Sequence, residues 1–122
     1  MGLGRETLAD PDRPAPYALA QFWAPPWREW EDCVLVPMDS RCTAAPNGVT
    51  DYAFYRTGGL SWAVPWVAGL YALACQVRPD ITWDRCWSAV ESTTDEAKAV
   101  LDGSEQVFER IVNPERLLAA IR

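Results

Sequence analysis

Residues 58–77 read GGLSWAVPWVAGLYALACQV, a stretch without a single charge. The uncharged run extends from Thr57 to Val77, 21 residues bounded by Arg56 and Arg78. A bilayer core takes about 20 apolar residues in helix, so length alone admits a membrane span. Composition points elsewhere. The run opens Gly58-Gly59-Leu60-Ser61, carries Pro65 and Gly69, and is small at Ala63, Ala68, Ala72 and Ala74. A spanning helix is richer in Leu and Ile and has Lys or Arg biased to one flank. Small residues let neighbours pack close, inside a protein or at helix contacts in a membrane. The reading adopted is a protein-buried helix over residues 60–77, closely packed at its small positions, with a membrane span as the alternative.

The rest of the chain bounds the answer. Its 122 residues make at most one small domain, and 49% hydrophobic with 23% charged residues is too apolar for disorder. A net charge of −6, with Arg and Lys scattered singly, argues against nucleic acid, which needs a clustered basic face. The opening MGLGRETLADPDRP lacks the apolar core of a signal peptide, so a cytoplasmic location is expected. Cys33, Cys42, Cys75 and Cys86 form no C-x-x-C pair. They read as reduced thiols rather than a zinc site, with Cys75 and Cys86 on apolar helix faces. No cofactor or metal ligand set is assigned.

Residues 1–31 are rich in proline, which fixes φ and removes a donor, so helices and central strands are not expected there. The aromatic stretch FWAPPWREW (22–30) reads as an ordered loop covering part of a core. Residues 32–122 carry the regular elements. Cys33 to Val36 has the pattern of a buried strand stopped by Pro37, Asn47-Gly48 marks a turn, and Tyr52 to Tyr55 a second short strand. After the long run, Thr82 caps a helix whose Trp83, Cys86, Trp87 and Val90 share one face, with Ile81 and Cys86 placed as a hydrophobic staple. Thr94 to Asp102 reads as a further helical stretch ending at Gly103, Val107 to Val112 as a strand, and Asn113-Pro114 as the start of a helix with Leu117, Leu118 and Ile121 inward.

The string G-L-S-W-A-V-P-W-V-A-G resembles, position by position, the serine motif of the subtilisin-like serine peptidases (subtilases). Gly59, Ser61, Ala63, Pro65, Val67, Ala68 and Gly69 stand where that motif has its glycine, nucleophile, alanine, proline and Val-Ala-Gly. The likeness continues through Pro79-Asp80-Ile81-Thr82, like the family's Pro-x-x-Thr turn, to Ile111-Val112-Asn113-Pro114, like its closing strand and Asn-headed helix. It implies an α/β chain, the C-terminal portion of a subtilisin-like parallel-sheet fold over residues 32–122, helix-rich with a few short strands. It also implies serine endopeptidase activity, with Ser61 as nucleophile and its backbone N–H as oxyanion donor. The residue chemistry agrees. A helix start offers free N–H groups and a positive dipole end to an oxyanion. Gly58 and Gly59 permit unusual φ and close approach of a substrate strand, and Pro65, about one turn in, loses little by lacking a donor.

A serine hydroxyl needs a base, and this chain contains no histidine. The family's Asp and His motifs, and its oxyanion asparagine, lie far upstream and have no counterpart here. Asn47 reads as a turn residue, and Lys98, the only lysine, as solvated rather than as the base of a Ser–Lys pair. Leu60 and Trp62 flank the serine where many subtilases have threonine and methionine. The expectation is a chain that supplies the nucleophile, is inactive alone, acts on peptide or protein, and joins an N-terminal half bearing the Asp and His. The rival is a degenerate, non-catalytic piece that binds a peptide or partner.

Overall fold

A computed structural model describes residues 2–3, 33–38, 41–55, 59–101 and 103–122. The region of 1–31 read as an aromatic loop lies, apart from residues 2–3, outside the described residues, and so does Gly58. The elements run β1 (Gly2–Leu3), β2 (Val36–Pro37), β3 (Arg41–Ala44), β4 (Tyr52–Tyr55), α1 (Leu60–Val77), α2 (Trp83–Ser92), β5 (Asp95–Leu101), β6 (Ser104–Ile111) and α3 (Pro114–Ala120).

The 60–77 helix forms over the expected residues. Gly59 enters it with extended backbone, and Arg78 closes it by donating to the Ala74 carbonyl at 2.8 Å. Pro79 forbids continuation, because the residue before a proline is driven out of the α region. Thr82 caps α2 by accepting from the Arg85 N–H, and Asn113 caps α3 by accepting from that of Arg116, with Pro114 at the first helical position. These helix ends follow from local chemistry that the sequence displays.

The strands are mixed in kind and small. β3 and β4 pair antiparallel from Arg41 opposite Tyr55 to Ala44 opposite Tyr52. Asn47-Gly48 lies in their connection, and a Cβ on Gly48 would meet the Asp51 carboxylate at 2.7 Å, which excludes any side chain there without a shift. β5 and β6 form a second antiparallel hairpin. Residues 95–101 are therefore strand, not the expected helical stretch. Glu-Ala-Lys-Ala favours helix locally, but the backbone pairing across the hairpin overrides a propensity of a few tenths of a kcal/mol per residue. Gly103, expected to end a helix, instead sits at the hairpin tip with φ +79. Asp-Gly between two pairing runs is a hairpin signal.

Parallel pairing among the described residues is limited. Gly2–Leu3 pairs with Val36–Pro37, and Leu35 bridges Ile111 through hydrogen bonds from Leu35 N–H to the Arg110 carbonyl and from Val112 N–H to the Leu35 carbonyl, both 2.9 Å. Pro37 does not stop the strand as expected, but takes part in this two-residue pair. The observed class is thus mixed helix and strand with small two-stranded sheets.

The core gathers Val34 and Val36 with Leu70 and Ala74 of α1, Ile81, Cys86 and Val90 around α2, and Val112, Leu117 and Ile121 around α3. Only one face of α1 takes part. Ser61, Val64, Pro65, Ala68, Gly69, Ala72, Leu73, Gln76 and Val77 are exposed and recur at helical spacing as a single stripe, with Val64 71% exposed. Cover over this stripe is not provided by the described residues, and no described atom lies within 4 Å of a Cβ built on Gly69. Among the described residues the helix, apolar all round, is covered on one side.

Candidate functional site

Ser61 is the second residue of α1 and is exposed. It stands where the first N–H groups of a helix have no intrahelical acceptor. At this end Trp62 N–H donates to the Gly59 carbonyl at 2.9 Å, no side chain caps the helix, and no acidic residue lies in its first turn. The positive end of this 18-residue helix has no acidic residue in its own first turn to offset it. That arrangement favours negative charge developing next to Ser61.

The other motif residues divide. Ala63 is half-buried against the core, and Pro65 is exposed inside the helix. Pro65 has no N–H to give, so the Ser61 carbonyl lacks its usual acceptance from four residues on. Gly59 has φ −166, an extended conformation open to any residue, so the unusual φ expected there is not found. No described atom lies within 4 Å of a Cβ built on it.

An aromatic pair flanks this end. The rings of Tyr55 and Trp62 lie 5.3 Å apart at 40°, which brings the β3–β4 hairpin against the start of α1. Phe54 is also exposed on that hairpin. The pairing was not legible in sequence, since Tyr55 and Trp62 belong to different elements. A cavity of about 450 Å³ lies along the same helix, between Val34 and Val36 of the β2 segment, Ala63 and Val67 of α1 and Trp87 of α2, with Cys33 and Glu91 as its polar groups. Glu91 also pairs with Arg110 at 3.5 Å.

No base reaches Ser61 among the described residues. Lys98 is exposed on β5 and holds Glu105 at 3.1 Å, as fits a solvated surface lysine. Asn47 is an exposed turn residue, and Asp51 is likewise exposed. No three His, Cys, Asp or Glu side chains assemble as a metal ligand set among the described residues. No helix among them is long and apolar enough to cross a membrane.

No family model, curated protein or solved structure matches this chain. What the site can do is therefore argued from its own atoms. An exposed serine and an uncapped helix start lie together here, and no described side chain is placed to take a proton from the hydroxyl.

A second network joins β5 to α3. Asp95 accepts from Asn113 Nδ2 through Oδ2 at 2.6 Å and from Arg116 through Oδ1 at 2.8 Å, while Arg116 also donates to the Thr94 carbonyl. The Arg116 hydrogen bond, helped by that of Asn113, holds the Asp95 carboxyl below its ordinary range against the opposing effect of desolvation. This cluster fastens β5 to the start of α3.

Proposed function

We propose that this chain is the serine-bearing part of a subtilisin-like serine endopeptidase, with Ser61 as the nucleophile that attacks the scissile peptide carbonyl. The observation that carries the reading is the placement of Ser61. It is exposed, in the first turn of a long uncharged helix whose start has no side-chain cap and no acidic residue in its first turn. Ser61 Oγ forms the bond to the carbonyl carbon, and the oxygen that gains charge is received by the Ser61 backbone N–H at the helix start. The aspartate and histidine that orient and accept the proton come from a separate stretch of polypeptide, an N-terminal half, since 122 residues hold no histidine.

The finer fold belongs to the same proposal. The order strand, serine helix, Thr-capped helix, strand and Asn-capped helix is compatible with the C-terminal portion of a parallel-sheet α/β fold. The parallel Leu35–Ile111 contact and the uncovered stripe of α1 support it, as further strands would lie over that stripe. Four free cysteines support a cytoplasmic location.

The experiment is labelling by a fluorophosphonate, which reports only activated serines. The chain by itself should remain unlabelled, and Ser61 should be labelled once joined to a polypeptide carrying the Asp and His of the parent enzyme. Ser61→Ala should then abolish peptide hydrolysis in the assembled protein while its circular dichroism is unchanged. Retention of most of the activity overturns the assignment. The missing histidine also supports a second reading, a non-catalytic subtilase piece that binds a peptide. It predicts peptide binding without labelling in any assembly.

A further inference from the structure

The cavity beside α1 has a chemistry of its own. Val34, Val36, Ala63 and Val67 give it aliphatic walls, and Trp87 adds an indole ring. Its volume of about 450 Å³ falls within the span of about 300–1,000 Å³ common to small-molecule sites. Val64, on its α1 side, is 71% exposed, so the cavity opens to solvent past that residue. Glu91 supplies a carboxylate, and no Lys or Arg lines the cavity among the described residues. The net charge of −6 over the whole chain adds to the same sign.

Helix α2 sets the ring and the carboxylate side by side. Trp83, Trp87 and Glu91 follow one another at four-residue spacing, so they form one row along the helix. The Trp83 ring stacks on that of Trp87, with centroids 5.4 Å apart and planes 20° apart. The stack takes the face of Trp87 nearer Trp83, and the opposite face lies toward the turn that bears Glu91. A cation seated there meets a carboxylate and an indole face together. Glu91 already has one cationic partner, Arg110 of β6, at 3.5 Å, with the two side chains 44% and 28% exposed. A pair this long and this exposed contributes little, so another cation can take the guanidinium's place at small cost. An anion in the same place is repelled by the carboxylate, and a neutral molecule gains nothing from it.

We propose that this cavity binds a small organic amine in its protonated form, with the apolar body among the valines and the ammonium between Trp87 and Glu91. The site lies along the helix that carries Ser61 but does not rest on that serine being a nucleophile.

The test uses one apolar body with three charges: 2-phenylethylamine, 2-phenylethanol and 3-phenylpropionate. Each is titrated into the full chain at neutral pH and followed by the indole N–H signals in nitrogen–proton correlation spectra, with the Trp87 signal assigned from its absence in Trp87→Phe. At the efficiency ordinary for small ligands, the nine non-hydrogen atoms of the amine set a Kd no weaker than about 10 mM. The amine should shift the Trp87 signal in that range, and the alcohol should bind at least about threefold more weakly. The carboxylate should not bind. Glu91→Gln keeps the shape and removes the charge, and should weaken the amine at least about threefold while leaving the alcohol unchanged. Arg110→Gly suits the backbone at φ 61, removes the competing guanidinium, and should tighten the amine but not the alcohol. Absence of any amine-induced shift at about 10 mM overturns the proposal. Equal binding of amine and alcohol to the wild type overturns it too, as does an amine affinity that Glu91→Gln leaves unchanged. If Glu91→Gln loses the native spectrum, Arg110→Gly decides, and an amine affinity that it fails to raise overturns the proposal.

Discussion

Replacing Gly69 by alanine puts the uncovered face of α1 to a quantitative test. A glycine inside a helix costs about 0.8–1.0 kcal/mol relative to alanine, through backbone entropy lost on folding. That gain from substitution is realised only where the added methyl has room. At Gly69 no described atom lies within 4 Å of the new Cβ. The expected result for the chain by itself is a stabilisation of about 0.8–1.0 kcal/mol. At this chain length that corresponds to a rise of roughly 3–5 °C in the unfolding midpoint. Urea and thermal unfolding followed by tryptophan fluorescence and far-ultraviolet circular dichroism measure it. Gly69→Leu should be equally harmless in the isolated chain. Once a partner polypeptide covers the stripe, the leucine overpacks the contact at a cost on the order of 1–3 kcal/mol, read as weakened association. A loss of stability greater than about 1 kcal/mol for Gly69→Ala alone refutes the reasoning, because it means the chain already packs something against that position.

Leu117, fully buried where α3 meets the core, should be costly to truncate, and Leu117→Ala is expected to lose about 2–5 kcal/mol in urea unfolding. Leu73→Ala, on the exposed stripe and 45% exposed, should cost clearly less. Because the folded Asp95 carboxyl titrates below its unfolded value, its contribution is present above the unfolded value near pH 4 and is lost as pH falls through the folded one. The stability difference between wild type and Asp95→Asn should therefore shrink on acidification from pH 6, and a difference independent of pH overturns the attribution. Arg110 is held at φ 61, where a β-branched residue is strained, so Arg110→Val should destabilise more than Arg110→Gly, although both lose the Glu91 pair.

Much of the helical part was legible because helix ends are written in local chemistry. Thr82, Asn113-Pro114, Arg78-Pro79 and the apolar spacing of 60–77 act within a few residues of themselves. The strands were less so. Asp95 to Leu101 is composed of helix formers and becomes strand only through pairing with 104–111, a relation that single-residue preferences do not contain. The Asp102-Gly103 pair was the available signal, and reading Gly103 as a helix stop concealed it. β3 went unread for a related reason. Arg41 to Ala44 shows little alternation and is defined by its partner Tyr52 to Tyr55. At the site, the exposure of a serine in the first turn follows from helix geometry. The meeting of Tyr55 with Trp62 depends on how a hairpin folds back. The outer stripe of α1 has no cover among the described residues, and apolar composition specifies what a surface tolerates, not what lies over it.

The pair of hydrogen bonds that joins Leu35 to Arg110 and Val112 has a consequence for biosynthesis. Residue 35 leaves the ribosome long before residue 111 has been added, and at 5–20 residues per second the wait is about 4–15 s. α2 is complete once residue 92 has been added, about 1–4 s before residue 111 at the same rate, and a local helical hairpin with α1 forms far faster than that. Val34, Val36 and the inner face of α1 nevertheless lack Val112, Leu117 and Ile121, which complete their burial. The nascent chain thus presents a preformed, open apolar hairpin for seconds. That is the kind of surface that holding chaperones recognise, and shortening the wait should matter more for recovery of folded protein than changing its final stability.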